Sequence, residues 1–336
     1  MRILVTGGCG YIGSHTIVEL LNNGHTVVCI DSCTRSSPAV LEKIKALTGV
    51  DVQFHKVDMT VRMDLEWVFL RHGAFDGVIH FAAFKSVGES VANPLMYYEN
   101  NLCSLLNLLH CCTSYNVKKI VFSSSCTVYG EPDSMPVTEI TPLKPAMSPY
   151  GATKQICERI LTDFVGRAGG NSCVCLLRYF NPAGAHPSLL LGEMPQDAPL
   201  NLVPVLVDVA TGRRSVLTIF GGDYPTRDGT CVRDYIHVCD IARAHMLALE
   251  YMIRTEKSLS VFNLGAGNGS TVLEAVHAFI KANNVPVPHL IADRRPGDVS
   301  AIYADNTLAS TELGWHIQYT LEDIMKTAWG FYTKSL

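Results

Sequence analysis

The sequence predicts an α/β protein of the Rossmann type, with a doubly wound parallel sheet and a smaller C-terminal lobe. Three observations support this fold class. Short apolar runs alternate with stretches of helical periodicity up to residue 180, a glycine-rich turn follows the first run, and a serine-rich segment follows the fifth. We therefore predict a main domain over residues 1–180 and a second lobe over 181–336, with some of the later chain returning to the main sheet.

Composition narrows the class of protein. The 336 residues are 48% hydrophobic and 17% charged, which is typical of a soluble globular chain with a substantial core. The formal net charge of −4 and the lack of a Lys/Arg cluster argue against a nucleic-acid partner, and no apolar stretch is long enough to span a membrane. Twelve cysteines without a CxxC pair or a signal peptide indicate reduced thiols, no metal site and a cytoplasmic location. The C-terminal residues 334–336 resemble a peroxisomal tripeptide with two positions exchanged, which we interpret as chance.

The first apolar run, residues 2–6, enters a turn that carries Gly7, Gly10 and Gly13 and then continues with helical spacing. Glycines at this spacing allow a tight turn, close approach of a pyrophosphate and packing of the helix on its strand. The positive end of the helix favours phosphate. The segment therefore predicts a dinucleotide site.

The second run, residues 26–30, ends in Asp31. A carboxylate at this place can hold the diol of a ribose and repels a 2′-phosphate, so the sequence favours NAD over NADP. Arg35 is the opposing signal, since an arginine there can accept that phosphate. A third run over residues 52–57 ends in Asp58, which could contact adenine.

The fourth and fifth runs, residues 78–81 and 119–122, lead toward the predicted site. Ala82 and Ala83 follow the fourth run and remove bulk where a cofactor would lie, and the serines 123–125 follow the fifth. Open α/β folds bind ligands at the carboxyl ends of their strands. Between these runs, residues 94–115 form a long apolar helix that is expected to pack in the core.

Tyr150 and Lys154 lie four residues apart after a proline-rich loop, so they share one face of a helix. An ammonium beside a phenol favours its ionised form, and together with a cationic nicotinamide it is expected to lower the pKa of Tyr150 toward neutrality. Ser125 would donate to a substrate oxygen or relay a proton. This trio predicts hydride chemistry at a secondary alcohol.

Regular alternation ends after a sixth strand over residues 173–179. Glycine, proline and aspartate accumulate from 181 to 235, which indicates an irregular second lobe. Residues 262–264 indicate a late strand, and we interpret the glycines of residues 265–269 as a loop and not as a second nucleotide site.

Longer motifs surround these residues, and over essentially its whole length the chain resembles the UDP-galactose (UDP-glucose) 4-epimerase family of extended short-chain dehydrogenases/reductases. The motifs are GGCGYIGSH (7–15), FAAFKSVGES (81–90), YFNPAGAHP (179–187), DGTCVRDYIHV (228–238) and RRPGD (294–298). The glycine motif is common to dinucleotide-binding proteins, and the other four are more specific to the epimerases.

The resemblance implies a set of site residues. Ser125, Tyr150 and Lys154 would be catalytic. NAD would be bound by Gly7, Gly10, Tyr11, Ile12, Gly13, Asp31, Ser32, Ser36, Asp58, Met59, Phe81, Ala82, Ala83, Lys85, Asn100, Ser123, Tyr150, Lys154 and Phe180. The UDP-sugar would be bound by Lys85, Ser125, Tyr150, Asn181, Asn201, Leu202, Thr218, Ile219, Phe220, Arg233, Arg295, Asp298 and Ile302. Helices over 94–115 and 148–166 would pair in a homodimer.

The resemblance also implies a reaction. Tyr150, directly or through Ser125, would take the proton of the sugar 4-hydroxyl while the C4 hydride passes to NAD; the 4-keto sugar would then turn over and take the hydride back on its other face. Two arginines, Arg233 and Arg295, could bind the diphosphate, and Asp298 could accept from a ribose hydroxyl.

Three alternatives bear on this interpretation. Ile302 stands where the family varies the bulk beside the sugar 2-position, so UDP-N-acetyl sugars remain open, with the unacetylated pair favoured. A 4,6-dehydratase would need Asp-Glu where this chain has Cys126 and Thr127, and Cys126 is expected to be a small buried side chain. A non-catalytic NAD-sensing regulator is a remote alternative, because such proteins usually lack the tyrosine.

Overall fold

A computed structural model describes residues 1–167, 171–194, 198–295 and 297–334. The strands are β1 (Arg2–Thr6), β2 (Thr26–Asp31), β3 (Gln53–Lys56), β4 (Gly77–His80), β5 (Lys119–Ser125), β6 (Cys173–Tyr179), β7 (Asn181–Ala183), β8 (Leu217–Phe220), β9 (Val232–Arg233), β10 (Tyr235–His237), β11 (Leu259–Leu264), β12 (Ser270–Thr271), β13 (His289–Ala292) and β14 (Ala301–Ile302). The helices are α1 (Tyr11–Asn22), α2 (Val40–Thr48), α3 (Arg62–His72), α4 (Val87–Ala92), α5 (Pro94–Ser114), α6 (Pro149–Gly166), α7 (Leu202–Ala210), α8 (Val238–Thr255), α9 (Val272–Asn283) and α10 (Leu321–Lys334).

The main sheet has seven parallel strands in the order β3-β2-β1-β4-β5-β6-β11. The order reverses beside β1, which is the crevice where such sheets bind ligands. This arrangement confirms the predicted doubly wound fold. A late strand, β11, lies at the edge of the sheet beside β6.

One boundary differs from the prediction in a way that matters for the site. The serines 123–125 belong to β5 itself and pair with residues 177–179 of β6, whereas the sequence placed them after the strand. Polar residues seldom extend a buried strand, but here the backbone of the neighbouring strand continues to offer hydrogen-bond partners. The serines are therefore held by the sheet and not by a loop.

Helices cover both faces of the main sheet. Along β1, Ile3 and Val5 face the cluster that includes α1 and α8, and Leu4 faces the cluster that includes α3, α5 and α6. A strand buried on both faces must be apolar throughout, which explains the continuous run in the sequence. The site therefore rests on a rigid layer.

The C-terminal lobe has its own core. Strands β7, β8 and β10 pack with α7, α9 and α10 around side chains such as Leu206, Phe279 and Ile324. Helix α9 begins with a capping box in which Thr271 and Glu274 satisfy each other's backbone amides. The lobe is therefore stabilised both by a capping motif that is local in the sequence and by apolar packing.

The fully buried Asp234 ties the late segments together. Its carboxylate accepts hydrogen bonds from the amides of Ala266 (2.6 Å), Gly267 (3.2 Å) and Ala304 (3.0 Å). Residues 265–269 are therefore a loop that closes on this carboxylate. A carboxylate with three amide donors is a stable buried anchor.

No helix within the described ranges combines the length and the apolar character that crossing a membrane requires. Of the C-terminal tripeptide, residues 335 and 336 lie outside the described residues.

We predict that Gly13→Ala lowers the free energy of unfolding by about 1–3 kcal/mol, as overpacked sites do. A Cβ at Gly13 would meet the backbone of Gly7 and lie 2.9 Å from the Cα of Gly8, and neither can move away cheaply. Gly166→Ala is the matched control, because a Cβ there has no neighbour within 4 Å. Urea unfolding of both variants measures the difference, and equal midpoints would contradict this account of the turn.

Candidate active site

The glycine turn forms a cradle at the start of α1. Gly7 has φ +69°, and a Cβ there would lie 2.7 Å from the amide nitrogen of Ala82. Gly10 is the N-cap of α1 and contributes no side-chain hydrogen bond, so no cap side chain occupies the amides of the first turn. Open backbone amides at the positive end of a helix form an anion site.

Asp31 stands beside this cradle at the end of β2. Its carboxylate accepts from the amides of Cys9 (3.0 Å) and Cys33 (2.9 Å) and from the Ser36 hydroxyl (2.8 Å). The two cysteine amides come from the glycine turn and from the loop after β2. The carboxylate is therefore oriented before any ligand arrives.

The opposing signal, Arg35, has an anionic partner. Its guanidinium pairs with Glu89 on α4 at 2.5 Å and lies 5.1 Å from the ring centroid of Phe84. A hydrogen bond from Tyr97, together with the bond from Arg35, lowers the pKa of Glu89. The charge of Arg35 is thus partly balanced in the protein itself, which agrees with the preference for NAD.

The remaining predicted cofactor residues are brought to the same edge by the ends of the parallel strands. Ser32 follows β2 and Asp58 follows β3, where Asp58 accepts from the amide and hydroxyl of Thr60. The others follow β3, β4 and β6 or lie in β5 and α5: Met59, Phe81, Ala82, Ala83, Phe180, Ser123 and Asn100. Tyr11 and Ile12 open α1, and the Tyr11 hydroxyl donates to the carbonyl of Gly184 at 2.6 Å.

Ser125 and Tyr150 meet where β5 ends and α6 begins. The Ser125 oxygen accepts from the amide (3.2 Å) and hydroxyl (3.0 Å) of Thr127, so its own proton is available to donate. Ser148 caps α6 and Pro149 opens it, which fixes Tyr150 in the first turn. Burial raises the pKa of Tyr150 to about 12, and a hydrogen bond with Ser125 opposes that rise.

Lys154 is buried one turn further along α6. Its ammonium donates to the carbonyl oxygen of Ser123 at 2.6 Å and lies 5.9 Å from the ring centroid of Tyr150. Burial lowers the pKa of Lys154 to about 8, against the influence of Cys157 and Glu158. In the protein alone the pKa of Tyr150 therefore departs upward and not downward as expected, because burial outweighs the hydrogen bond with Ser125.

The predicted diphosphate residues come together in the C-terminal lobe. Asp298 accepts from Arg233 at 3.3 Å and from Arg295 at 3.1 and 2.9 Å, and Arg295 lies 5.6 Å from the ring centroid of Phe220. Arg233 also donates to the carbonyl of Val299 at 2.8 Å. Two guanidiniums are thus oriented by one carboxylate, and the cluster carries a net positive charge.

Three substrate contacts were predicted on strand β8, and only two of them have side chains that can reach a ligand. Thr218 and Phe220 point outward, whereas the side chain of Ile219 is buried in the core of the lobe, so only its backbone can contact a ligand. The exposed Asn201 occupies the N-cap position of α7 without a side-chain capping hydrogen bond, and Leu202 is the first residue of that helix. Asn201 and Leu202 therefore stand at a helix N-terminus.

Other predicted sugar contacts lie on the short strands β7 and β14. Asn181 has a buried side-chain oxygen with no hydrogen-bond partner in the part of the chain that is described. Ile302 is buried in one cluster with Cys126 and Phe180. Burial raises the pKa of the Cys126 thiol to about 12, which confirms that Cys126 is a small neutral side chain.

Lys85 pairs with Glu193 at 3.1 Å and lies 5.9 Å from the ring centroid of Tyr11. It therefore belongs to the same region as the glycine turn. Glu193 was not predicted, because no motif in the sequence marks it.

Three further residues behind the site were also missed. Thr127 supports Ser125 as described above, and a buried pair, Glu158 and Arg178, lies behind Lys154. Glu158 had a signal in the sequence, because it repeats the four-residue spacing from Tyr150 to Lys154 on α6.

The residues present fit a dinucleotide. The glycine cradle leaves no room for a side chain, the first-turn amides of α1 have no cap side chain, and Asp31 is oriented beside them. These features match the requirements of a pyrophosphate and a ribose diol.

Comparison with known proteins agrees with this geometry. The sequence profile of the GDP-mannose 4,6 dehydratase family matches residues 4–328. The UDP-glucose 4-epimerase of Bacillus subtilis (strain 168) is 48% identical over 336 residues, which cover 100% of this chain and 98% of the relative.

Solved structures are equally similar. A UDP-glucose 4-epimerase from Stenotrophomonas maltophilia with bound NAD and formylated UDP-arabinopyranose has a TM-score of 0.96 at 44% identity, covering 100% of this chain and 98% of that one. The enzyme from Bifidobacterium longum in complex with NAD+ and UDP has a TM-score of 0.95 at 46% identity, covering 99% and 98%. The chain therefore belongs to the UDP-glucose 4-epimerase family of extended short-chain dehydrogenases/reductases.

Proposed function

We propose that the protein interconverts UDP-galactose and UDP-glucose with tightly bound NAD as cofactor. The observation that carries this proposal is the position of Ser125, Tyr150 and Lys154 at the same sheet edge as the glycine cradle. The division of labour is part of the proposal: residues 1–180 bind the cofactor, and residues 181–336 mainly bind the UDP-sugar.

Each catalytic residue has a separate role. Tyr150 takes the proton of the sugar 4-hydroxyl, and Ser125 donates to the sugar oxygen because Thr127 already supplies the bonds that Ser125 accepts. Lys154, pinned to the Ser123 carbonyl, adds positive charge beside the phenol. Bound NAD would accept the C4 hydride and return it, and its nicotinamide would add to that charge.

The proton transfer requires the pKa of Tyr150 to fall from about 12. A general base works best when its pKa is near the working pH. The positive charge of Lys154 beside the phenol favours the ionised form of Tyr150, so the protonation of Lys154 matters for the reaction.

The anchors in the C-terminal lobe explain how the sugar can turn over. Arg233 and Arg295 supply charge for the diphosphate, whereas the candidate sugar contacts, such as Asn181 and Ile302, are uncharged. A nucleotide held by charge and a hexose held weakly allow the 4-keto sugar to rotate about the pyrophosphate link.

A 4,6-dehydratase reaction is not supported, although the matching profile carries that name. Expelling the 6-hydroxyl requires an added acid and base, and the two positions after Ser125 hold Cys126 and Thr127. Cys126 is buried with a raised pKa, and Thr127 hydrogen-bonds to Ser125. Neither side chain can serve as that acid or base.

We also infer that the protein is a cytoplasmic homodimer. Helices α5 and α6 carry apolar side chains on their outer faces, including Leu106 and Ile156, which are 43% and 38% exposed. A second copy packed on these helices would cover such side chains.

The purified protein should convert UDP-galactose to UDP-glucose without added NAD, because the cradle is shaped to retain the cofactor. NMR or chromatography of the products measures this. If conversion occurred only after NAD was added, the proposed reaction would stand, but the proposed tight binding of NAD would be contradicted. If no conversion occurred in the presence of added NAD, the proposed substrate would be wrong, and the protein would more closely fit a non-catalytic NAD-sensing regulator.

Tyr150→Phe should lower kcat about a hundredfold or more, because it removes the proton acceptor, while bound NAD is retained. Tyr332→Phe is a matched control, since the buried Tyr332 hydroxyl has no hydrogen-bond partner among the described residues. Turnover assays and cofactor quantification measure both variants. Near-native turnover of Tyr150→Phe would remove Tyr150 from the mechanism.

UDP-N-acetylgalactosamine should react more slowly than UDP-galactose, because the buried Ile302 side chain limits room beside the sugar 2-position. Ile302→Ala should narrow the ratio of the two kcat/KM values by about tenfold, in line with the removal of a few buried methyl groups. Parallel assays of both sugars measure this ratio. An unchanged ratio would show that Ile302 does not limit the pocket.

A further inference from the structure

Glu158 lies on the same face of α6 as Tyr150 and Lys154, one turn beyond the lysine, and is 4% exposed. Carboxylates are seldom buried to this degree unless they are paired. The position therefore calls for an explanation beyond helix packing.

The carboxylate of Glu158 is fully engaged by two neighbouring strands. Arg178 on β6 donates to both of its oxygens, at 2.9 and 2.6 Å, and the Ser124 hydroxyl on β5 donates at 2.5 Å. A bidentate guanidinium fixes the carboxylate in one plane. Glu158 thus connects α6 to the two strands behind the site.

The groups that face Lys154 differ in their charge at neutral pH. Burial lowers the pKa of His80 on β4 to about 3 and raises the pKa of Cys157 on α6 to about 11, so both are neutral. Tyr150 is neutral as well, since its pKa is about 12. Of these neighbours in the described chain, Glu158 is the one that forms an ion pair, with Arg178.

The contacts from β5 carry no charge. The carbonyl of Ser123 accepts from the ammonium of Lys154, and the ring of Phe122 lies 4.8 Å from it. Both contacts favour a cation, but neither changes with pH. Burial works against the ammonium, and Cys157 and Glu158 oppose that cost.

We infer that Glu158 is a positioning residue for the reaction: held by Arg178, it keeps the buried Lys154 protonated beside Tyr150. The inference rests on the proposed roles of those two residues. Stability alone is a weak account of the pair, because an apolar pair of similar volume is often as stable as a buried ion pair.

The test removes the carboxylate without stranding a buried cation. Glu158→Gln alone would leave Arg178 without its anion, so the variant to make is Glu158→Gln/Arg178→Met. Arg178→Lys is the matched control, because it keeps both the carboxylate and a cationic partner. Thermal unfolding and bound NAD establish that each variant is folded.

Two measurements decide the inference. The first is the pH at which kcat falls on the alkaline side, where Lys154 loses its proton. The second is the Cε chemical shift of Lys154 in protein labelled with 13C-lysine, assigned with Lys154→Met, which follows protonation without turnover. In the double variant both midpoints should lie about one pH unit below those of the native protein and of Arg178→Lys.

The outcomes separate this inference from the proposed function. Midpoints that stay in place while kcat falls would show that Glu158 is only structural. Midpoints that move equally in Arg178→Lys would assign the effect to Arg178. A native protein that does not convert UDP-galactose would contradict the proposed function itself, whereas the chemical-shift titration would still report on Glu158 and Lys154.

Discussion

The packing of α6 against β5 is the constraint on which the site depends. The Lys154 ammonium donates to a carbonyl that lies within the sheet, so the helix cannot rotate or slide without losing that bond. Tyr150 and Ser125 approach each other because their elements are locked in this way. The cap at Ser148 fixes the position of Tyr150 at the start of α6. The register of β5 on β6 fixes the position of Ser125.

A second network connects this packing to the later chain. Arg178 donates to the Tyr129 hydroxyl at 3.1 Å, and that hydroxyl donates to the side-chain oxygen of Asn263 on β11 at 2.6 Å. Asn263 in turn donates to the carbonyl of Val137 at 3.0 Å. The catalytic helix, the sheet and the loop that follows β5 therefore share one buried polar network, in which each bond is shielded from water.

Much of the fold and part of the site followed from local patterns in the sequence. The glycine spacing, the acid of Asp31 and the four-residue spacing of Tyr150 and Lys154 are local, because each depends on one turn or one helix. The structure brings these residues to one edge because the strands are parallel, and the alternation of apolar runs with helical stretches already predicted a parallel sheet.

The features that were missed depend on tertiary burial. Whether Ile219 faces a ligand or the core is decided by the helices that pack on β8, and the rise in the pKa of Tyr150 is decided by how deeply the phenol is enclosed. The bidentate bond of Arg178 to Glu158 joins residues 20 positions apart on different elements. No periodicity in one sequence reports such pairings.

The shared carboxylate of Asp298 has a consequence for turnover. A diphosphate bound by Arg233 and Arg295, as proposed above, would exchange part of an existing ion pair for a new one, so its net gain would be smaller than two unpaired guanidiniums would give. When the nucleotide left, both arginines would keep Asp298 as a partner and would not be left unpaired. At the proposed site, an internal counter-ion of this kind would limit how tightly product is held and would therefore favour its release.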